Sequence, residues 1–163
     1  MNKMRTMKKL LSLFLAFVLV VSVSATAFAY SSFEEEFANF QYIERGASQS
    51  SFVRVLQRFL LNYNSTTANY ISSNGGVDGS FGWGTHYATY EFQKVYFNTD
   101  ANQWDGKVGS NTWKAIYHSM TLVTVIGEGS VNYFRLNNND ILWKVSGVWH
   151  VKDKNGYDYS FTV

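Results

Sequence analysis

The residues that most often bind metals or act as acids, bases and nucleophiles form no known catalytic pattern in this sequence. Its three histidines, His86, His118 and His150, lie far apart and belong to no H-E-x-x-H or H-x-H pair of a zinc site. The chain has no cysteine, which excludes a thiol peptidase, and no G-x-S-x-G nucleophile elbow. We therefore predict no metal, no cofactor and no catalytic residue, and hence a protein that is not an enzyme.

Two aspartates have a structural explanation, because each begins a copy of the same short motif. The pattern D-G-x-apolar-G-x-x-T-x-x-A occurs from Asp78 to Ala88 and again from Asp105 to Ala115. An Asp-Gly pair makes a tight turn, since the carboxylate accepts from nearby N–H groups and glycine adopts a positive φ. The motif residues are Asp78, Gly79, Gly82 and Thr85 in the first copy and Asp105, Gly106, Gly109 and Thr112 in the second. Each copy predicts a turn followed by a helix that its threonine caps.

The repeat and its surroundings resemble the small three-helix peptidoglycan-binding domain found attached to bacterial cell-wall hydrolases. Upstream, Arg45-Gly46 and the pair Leu56-Gln57 are similar to the beginning of that family and its first helix. The segment from Ala88 to Gln93 is similar to its central A-x-x-x-F-Q helix. The resemblance covers about residues 45–118 and implies a domain that binds peptidoglycan through the stem peptide or the glycan.

Given this resemblance, the predicted binding site is a shallow cleft at the helix starts. Free N–H groups there favour carboxylates of the stem peptide, and aromatic faces cover sugar rings or methyl groups. The candidate ligand-binding residues are Trp83, Tyr87, Trp104, Asn111 and Trp113. Core packing is the alternative for each of them, and it has more weight for Trp113 than for Trp83, which stands between two glycines.

Apolar periodicity predicts the elements that position these residues. Helices are expected over residues 51–61, 85–97 and 112–118. Ser50 or Ser51 caps the first of them. The buried face of the second is predicted to contain Ala88, Phe92, Val95 and Tyr96. Residues 62–76 are rich in Asn, Ser and Thr, so they are predicted to form a polar loop, longer than that of the family.

From residue 121 onward the apolar residues alternate, as in strands. Four or five short strands are separated by turn signals such as Ser146-Gly147 and Asn155-Gly156. They predict a small antiparallel meander that packs on the helices or forms a barrel-like cap, and we recognise no family for it. The predicted fold class is therefore α+β, a small three-helix bundle followed by a small antiparallel β meander.

The first 29 residues have the features of a secretory signal peptide. Four basic residues precede an apolar run from Leu10 to Val23, and Ala27-Phe28-Ala29 fits cleavage before Tyr30. A retained membrane anchor is the alternative, because the uncharged run from Leu10 to Ala29 is just long enough to span a bilayer. Cleavage is favoured, which predicts an exported protein with no stable membrane anchor.

The predicted organisation has four segments. They are a signal peptide (1–29), an N-terminal helical extension (30–44), a peptidoglycan-binding-like domain (45–120) and a small β-sheet extension (121–163). In the second segment, Phe33, Phe37 and Phe40 have helical spacing, which predicts a short helix that packs on the domain.

Charge argues against nucleic acid as a partner. Four of the fourteen basic residues lie in the signal segment, so ten remain against twelve acidic ones, a mature net charge of about −2 with no basic stripe. Aromatic residues are 18% of the chain, enough to stabilise a core without disulfides.

We therefore expect a secreted, cell-wall-associated protein that binds peptidoglycan without catalysis. One alternative is a module of the same fold that binds another exported protein, which an exposed Trp143 and Trp149 on one sheet face would favour. Another is a small cell-wall hydrolase or hydrolase accessory, which activity on labelled cell walls would reveal.

Overall fold

The computed structural model describes residues 33–48, 50–125, 131–135, 141–152 and 158–162. The predicted signal peptide and the Asn155-Gly156 turn lie outside these residues. Phe37–Val163 form one compact unit. No helix within the described residues is long and apolar enough to cross a membrane.

The described chain contains five α-helices followed by five strands. The helices are α1 (33–38), α2 (Ser51–Tyr63), α3 (Ser65–Ser72), α4 (Trp83–Tyr96) and α5 (Ser110–His118), with a 3-10 turn at Ala101–Gln103. The strands are β1 (Thr121–Val125), β2 (Val131–Arg135), β3 (Ile141–Val145), β4 (Val148–Lys152) and β5 (Asp158–Phe161). The predicted α+β class is confirmed, with one helix more than the four that the sequence predicts, three in the bundle and one before it.

Helix α2 is the central helix of the helical part. It begins after Ser50, whose hydroxyl accepts from the Val53 N–H at 3.4 Å, as the sequence predicts for a serine cap. Val53, Leu56 and Leu60 are completely buried, and α2 packs against α3 and α4.

The prediction of a loop over residues 62–76 is wrong, because this stretch contains helix α3. The Asn64 carboxamide oxygen accepts from the Thr67 N–H at 2.9 Å, and the Asn64 N–H donates to the Thr67 hydroxyl at 3.3 Å. These reciprocal bonds form a capping box. The Thr67 hydroxyl also donates to the Leu60 carbonyl at 2.6 Å, and Ile71 is buried. Polar capping and one apolar anchor therefore stabilise a helix whose composition resembles a loop.

The buried face of α4 differs from the predicted one. Ala88 and Phe92 are buried as expected, but Val95 is 54% and Tyr96 is 39% exposed. Thr89 and Gln93 are buried instead. A helix turns about 100° per residue, so residues four positions apart lie on the same face. Ala88 and Phe92 form one such pair, and Thr89 and Gln93 form the neighbouring pair. Because Thr89 and Gln93 are polar, apolar periodicity does not indicate that this face is buried.

The strands form one antiparallel sheet in the order β1-β2-β3-β4-β5, as the predicted meander requires. The turn between β3 and β4 is Ser146-Gly147, with φ of 50° and 84°. Positive φ at both residues of a two-residue hairpin turn is typical of type I′. The turn signal read at Ser146-Gly147 is therefore confirmed.

The sheet packs on the helices through aromatic side chains. The Phe37 ring centroid lies 5.5 Å from that of Tyr117 on α5 and 5.5 Å from that of Trp149 on β4. Phe40 lies 5.2 Å from Trp113 and 5.6 Å from Trp149. All five side chains are buried, so Phe37 of α1 and Phe40 just after it connect the helical part to the sheet.

Trp143 and Trp149 lie on opposite faces of the sheet. Cross-strand partners share a face, and Trp143 is paired with His150 whereas Trp149 is paired with Lys144. Trp149 is completely buried, and the half-buried Trp143 stacks on His150 with ring centroids 5.1 Å apart. The exposed tryptophan pair that would favour a protein-interaction surface therefore does not form.

Candidate functional site

A buried glutamine of α2 holds the first repeated turn. The side-chain amide nitrogen of Gln57 donates to Asp78 Oδ1 at 2.8 Å, to the Ser80 carbonyl at 3.1 Å and to the Thr85 hydroxyl at 3.1 Å. Its amide oxygen accepts from the Gly79 N–H at 2.9 Å. Gln57 is 1% exposed, and both the nitrogen and the oxygen of its amide group bond to the turn.

The second turn repeats this arrangement with a glutamine of α4. The Gln93 amide nitrogen donates to Asp105 Oδ1 at 3.0 Å, to the Lys107 carbonyl at 2.8 Å and to the Thr112 hydroxyl at 3.1 Å. The Gly106 N–H donates to its amide oxygen at 2.8 Å. In the sequence both glutamines are visible only as parts of the family resemblance, although their place in the helix before each turn is a signal that could have found them.

The prediction that Thr85 and Thr112 cap the two helices is wrong. Helix α4 begins after Gly82 and α5 after Gly109, neither with a side-chain cap hydrogen bond. Each threonine is instead the third residue of its helix, buried, with its hydroxyl accepting from the glutamine. Because glycine has no side-chain oxygen, the first N–H groups of both helices remain suited to an acceptor from outside.

A short segment, residues 42–47, links the two turns, and we call it the strap. Ile43 exchanges backbone hydrogen bonds with Val108 of the second turn at 3.1 and 2.9 Å. The Gly46 N–H donates to the Phe81 carbonyl at 3.0 Å, and the Phe81 N–H donates to the Ala47 carbonyl at 2.7 Å. Phe81 and Val108 are buried, as predicted. The strap therefore fixes the two turns relative to each other.

The first cleft lies at the start of α4, beside the strap. It has a volume of about 380 Å³ and is lined by Glu44, Arg45, Trp83, His86 and Lys107. The guanidinium carbon of Arg45 is 4.0 Å from the centroid of the Trp83 ring, a cation–π distance. Trp83 is nevertheless 53% exposed, so a ligand could reach its ring.

An ion pair bridges the strap and the second turn beside this cleft. Lys107 Nζ is 3.0 Å from Glu44 Oε2, which also accepts from the Tyr42 hydroxyl at 3.1 Å. The hydrogen bonds from Lys107 and then from Tyr42 lower the pKa of Glu44, and the bond to Glu44 raises the pKa of Lys107. Both groups are therefore charged at neutral pH. Desolvation, and then the hydrogen bond to Glu44, raise the pKa of Tyr42.

An aromatic row extends from the first cleft across α4 to α3. The Trp83 and Tyr87 ring centroids are 5.6 Å apart with planes 21° apart, and those of Tyr87 and Tyr70 are 5.7 Å apart with planes 29° apart. Nearly parallel rings at this separation are offset, so part of each face stays uncovered. Trp83 and Tyr87 thus lie together at the surface, and Tyr70 joins them. Tyr70 is absent from the predicted site because the sequence predicts a loop at the position of α3.

A second, smaller cleft of about 250 Å³ lies at the start of α5. Its lining includes Gln103, Lys107, Ser110 and Asn111. The Asn111 side-chain amide is exposed and donates to Gln103 Oε1 at 3.3 Å. Lys107 borders both clefts. The helix starts therefore form two neighbouring clefts, of which only the first contains an exposed tryptophan.

Two of the predicted ligand-binding residues have structural positions instead. Trp113 is completely buried, and its indole N–H donates to the Gln41 carbonyl at 3.0 Å. Trp104 is half-buried, and its indole N–H donates to the Phe97 carbonyl at 2.9 Å. Trp113 is therefore part of the core, and Trp104 lines neither of the two clefts. Within the described ranges there is no group of three acidic or histidine side chains that could hold a metal ion.

Comparison with known proteins relates the chain to a cell-wall protein. It is 34% identical over 98 residues to the spore cortex-lytic enzyme of Bacillus subtilis (strain 168). The similar region is 60% of this chain but only 28% of that enzyme, so the chain matches less than a third of its relative. No family model and no solved structure matches the chain.

This comparison corrects the prediction that the protein is not an enzyme. The relative is named as a lytic enzyme, which contradicts that prediction. The absence of H-E-x-x-H, H-x-H and G-x-S-x-G patterns excludes only the sites that use them and does not bear on other catalytic arrangements.

Proposed function

We propose that this protein is an exported, cell-wall-associated protein that binds peptidoglycan with the first cleft and the aromatic row. The observation that carries the proposal is the exposed row of Trp83 and Tyr87 beside a cationic cleft. Large exposed rings cost solvation free energy, and they commonly mark a surface that a ligand covers. The similarity to a cortex-lytic enzyme supports a ligand in the cell wall.

The first cleft suits a carboxylate of a stem peptide. Arg45 and Lys107 supply positive charge, and the start of α4 supplies N–H groups at the positive end of the helix dipole. The Trp83 ring lies directly beside these groups and can cover a methyl group or a sugar face. One cleft therefore offers both kinds of contact that a peptide-bearing glycan needs.

The organisation into a cleaved leader, an N-terminal helical extension, a binding domain over 45–120 and a β extension over 121–163 belongs to the same proposal. The relative's name supports a location at the cell wall, which export through a signal peptide would provide.

Binding is tested by pelleting the purified protein with washed peptidoglycan sacculi. Trp83→Ala removes a contact of about 1–2 kcal/mol and should weaken binding roughly tenfold. Val95→Ala is the matched control, because Val95 is equally exposed on the same helix but lies outside the cleft. Unchanged binding by Trp83→Ala would move the site elsewhere, and a folded wild type that does not pellet would refute the proposal.

The charges give a second test with opposite signs. A ligand carboxylate must compete with Glu44 for Lys107, since the two side chains already form an ion pair. Glu44→Gln should therefore tighten binding severalfold and Lys107→Gln should weaken it, and added salt should reduce both differences. If both variants changed binding in the same direction, the cleft would not hold an anion.

Lysis of the cell wall is a second candidate function, favoured by the name of the relative. The same incubations measure it through the loss of turbidity and the release of soluble fragments, with boiled protein as the control. Release that depends on native protein would establish the activity, and intact sacculi after prolonged binding would count against it.

A further inference from the structure

We infer that a third cleft, along helix α3, binds a neutral sugar ring of the wall glycan. This inference rests on the proposed function and names one part of its ligand. The α3 cleft has a volume of about 430 Å³ and is lined by Thr66, Asn69, Tyr70, Ser73 and Asn74. Its volume lies within the range of about 300–1,000 Å³ typical of small-molecule sites.

The lining of the α3 cleft has the chemistry of a sugar site. It contains two carboxamides, two hydroxyls and one aromatic ring, and no charged side chain. Carboxamides and hydroxyls both donate and accept hydrogen bonds, as sugar hydroxyls and acetamido groups do. An aromatic ring packs against the apolar face of a pyranose. The first cleft, with Arg45 and Lys107, instead suits an anion, so the two clefts favour different parts of one ligand.

Close packing of α3 on α4 positions Tyr70 and Asn74 of this lining. A Cβ on Gly84 of α4 would lie 2.7 Å from the Tyr70 carbonyl, so the absence of a side chain allows the two helices to approach closely. The Asn74 side-chain amide donates to the same Tyr70 carbonyl at 2.9 Å. A site whose groups are already positioned loses less entropy when a ligand binds.

The aromatic row connects the α3 cleft to the first cleft. Tyr70 borders the α3 cleft, Trp83 borders the first cleft, and Tyr87 lies between them at centroid distances of 5.7 and 5.6 Å. A glycan strand across the row would therefore place one sugar in the α3 cleft and direct an attached peptide toward the cationic cleft.

The test uses soluble glycan strands from which the stem peptides have been removed enzymatically, titrated into the protein by calorimetry. Asn69→Ala removes an exposed carboxamide of the cleft, and Tyr70→Ala removes its ring. Each should weaken binding of these strands about tenfold. Ser72→Ala is the control, because Ser72 is exposed on the same helix and does not line the cleft.

The outcomes separate this inference from the proposed function. A wild type that pellets with sacculi but does not bind peptide-free strands would overturn the sugar site and leave the proposed function intact. Binding of strands that Asn69→Ala and Tyr70→Ala leave at the Ser72→Ala level would also overturn it. Failure with both sacculi and strands would overturn both proposals. Circular dichroism checks folding, and Asn69→Ala keeps the test decisive if Tyr70→Ala unfolds.

Discussion

Replacing Gln57 by leucine should destabilise the protein strongly, because one buried amide group holds the whole first turn. The substitution keeps the approximate size of the side chain and replaces its carboxamide by branched methyl groups. The bonds that are lost join Gln57 to Asp78, Ser80 and Thr85 and to the Gly79 N–H.

The expected cost follows from counting these bonds. A carboxamide has two N–H protons, so its three acceptors share two donors, and its oxygen makes one more bond. Three hydrogen bonds at about 1 kcal/mol each give about 3 kcal/mol. The buried Gly79 N–H would also lose its partner, which adds a penalty that the burial of leucine partly offsets. We therefore expect a loss of about 3 kcal/mol in the free energy of unfolding.

Urea denaturation followed by circular dichroism measures this loss, and the midpoint of thermal unfolding should fall by roughly 10 °C. Gln93→Leu should cost nearly the same, because Gln93 makes the equivalent four contacts in the second turn. Gln41→Leu is the matched control, since Gln41 is exposed, and its effect should stay within about 0.5 kcal/mol.

A cost for Gln57→Leu no larger than that of Gln41→Leu would refute the role of the buried amide. A large cost for Gln57→Leu with a small one for Gln93→Leu would instead refute the equivalence of the two turns.

Two further predictions concern the same turn and the packing of α3. Desolvation raises the pKa of Asp78, but hydrogen bonds from Gln57 and from backbone N–H groups outweigh it and lower the pKa in the folded protein. The stabilisation is therefore present above the unfolded pKa of about 3.9 and is lost as the pH falls through the lower folded value. Asp78→Asn keeps the hydrogen-bond acceptor but cannot titrate, so its thermal stability should fall less steeply than that of the wild type between about pH 5 and pH 2. An equally steep fall would contradict the attribution of this loss to Asp78. Gly84→Ala should lower the free energy of unfolding, measured by urea denaturation, by about 2 kcal/mol, because the added Cβ separates α3 from α4. Gly82→Ala, with open space around its Cβ, should lower it much less. Equal losses would exclude close packing as the cause.

The turns could be predicted from sequence because their signals are local. Gly79 and Gly106 have φ of 81° and 67°, as the Asp-Gly pairs indicated. The threonines were misassigned because a threonine before a helical stretch is a common cap. Their true partners are glutamines distant in sequence, at positions 57 and 93, and a local pattern contains no information on such a pairing.

Helix α3 shows that a segment rich in polar residues can be helical. The sequence predicts a polar loop that includes Asn64-Ser65-Thr66-Thr67, yet Asn64 and Thr67 form a capping box across these four residues. The variant with threonine in place of the usual glutamate is easily overlooked. Missing this helix also removed Tyr70 from the predicted site, so an error in one local element changed the functional prediction.

The face of each strand residue depended on tertiary packing. Alternation along β4 places Trp149 and His150 on opposite faces, but it does not say which face meets the helices. Phe37 and Phe40 decide this by packing against Trp149, and they lie far away in the sequence. The sheet could thus be predicted as a meander and its core could not.

The repeated motif separates residues that build the turn from residues that can vary. Its repeated residues build the turn itself, as the hydrogen bonds of Asp78 and Asp105 to the two glutamines show. The positions between them differ: at the same point of the helix start, the first copy has Trp83 and the second has Ser110. Two equivalent scaffolds therefore present an aromatic cleft and a polar cleft. The repeated residues form the turn, and the residues between them form the surface. The ligand preference of such a domain therefore depends on the positions at which the two copies of the motif differ.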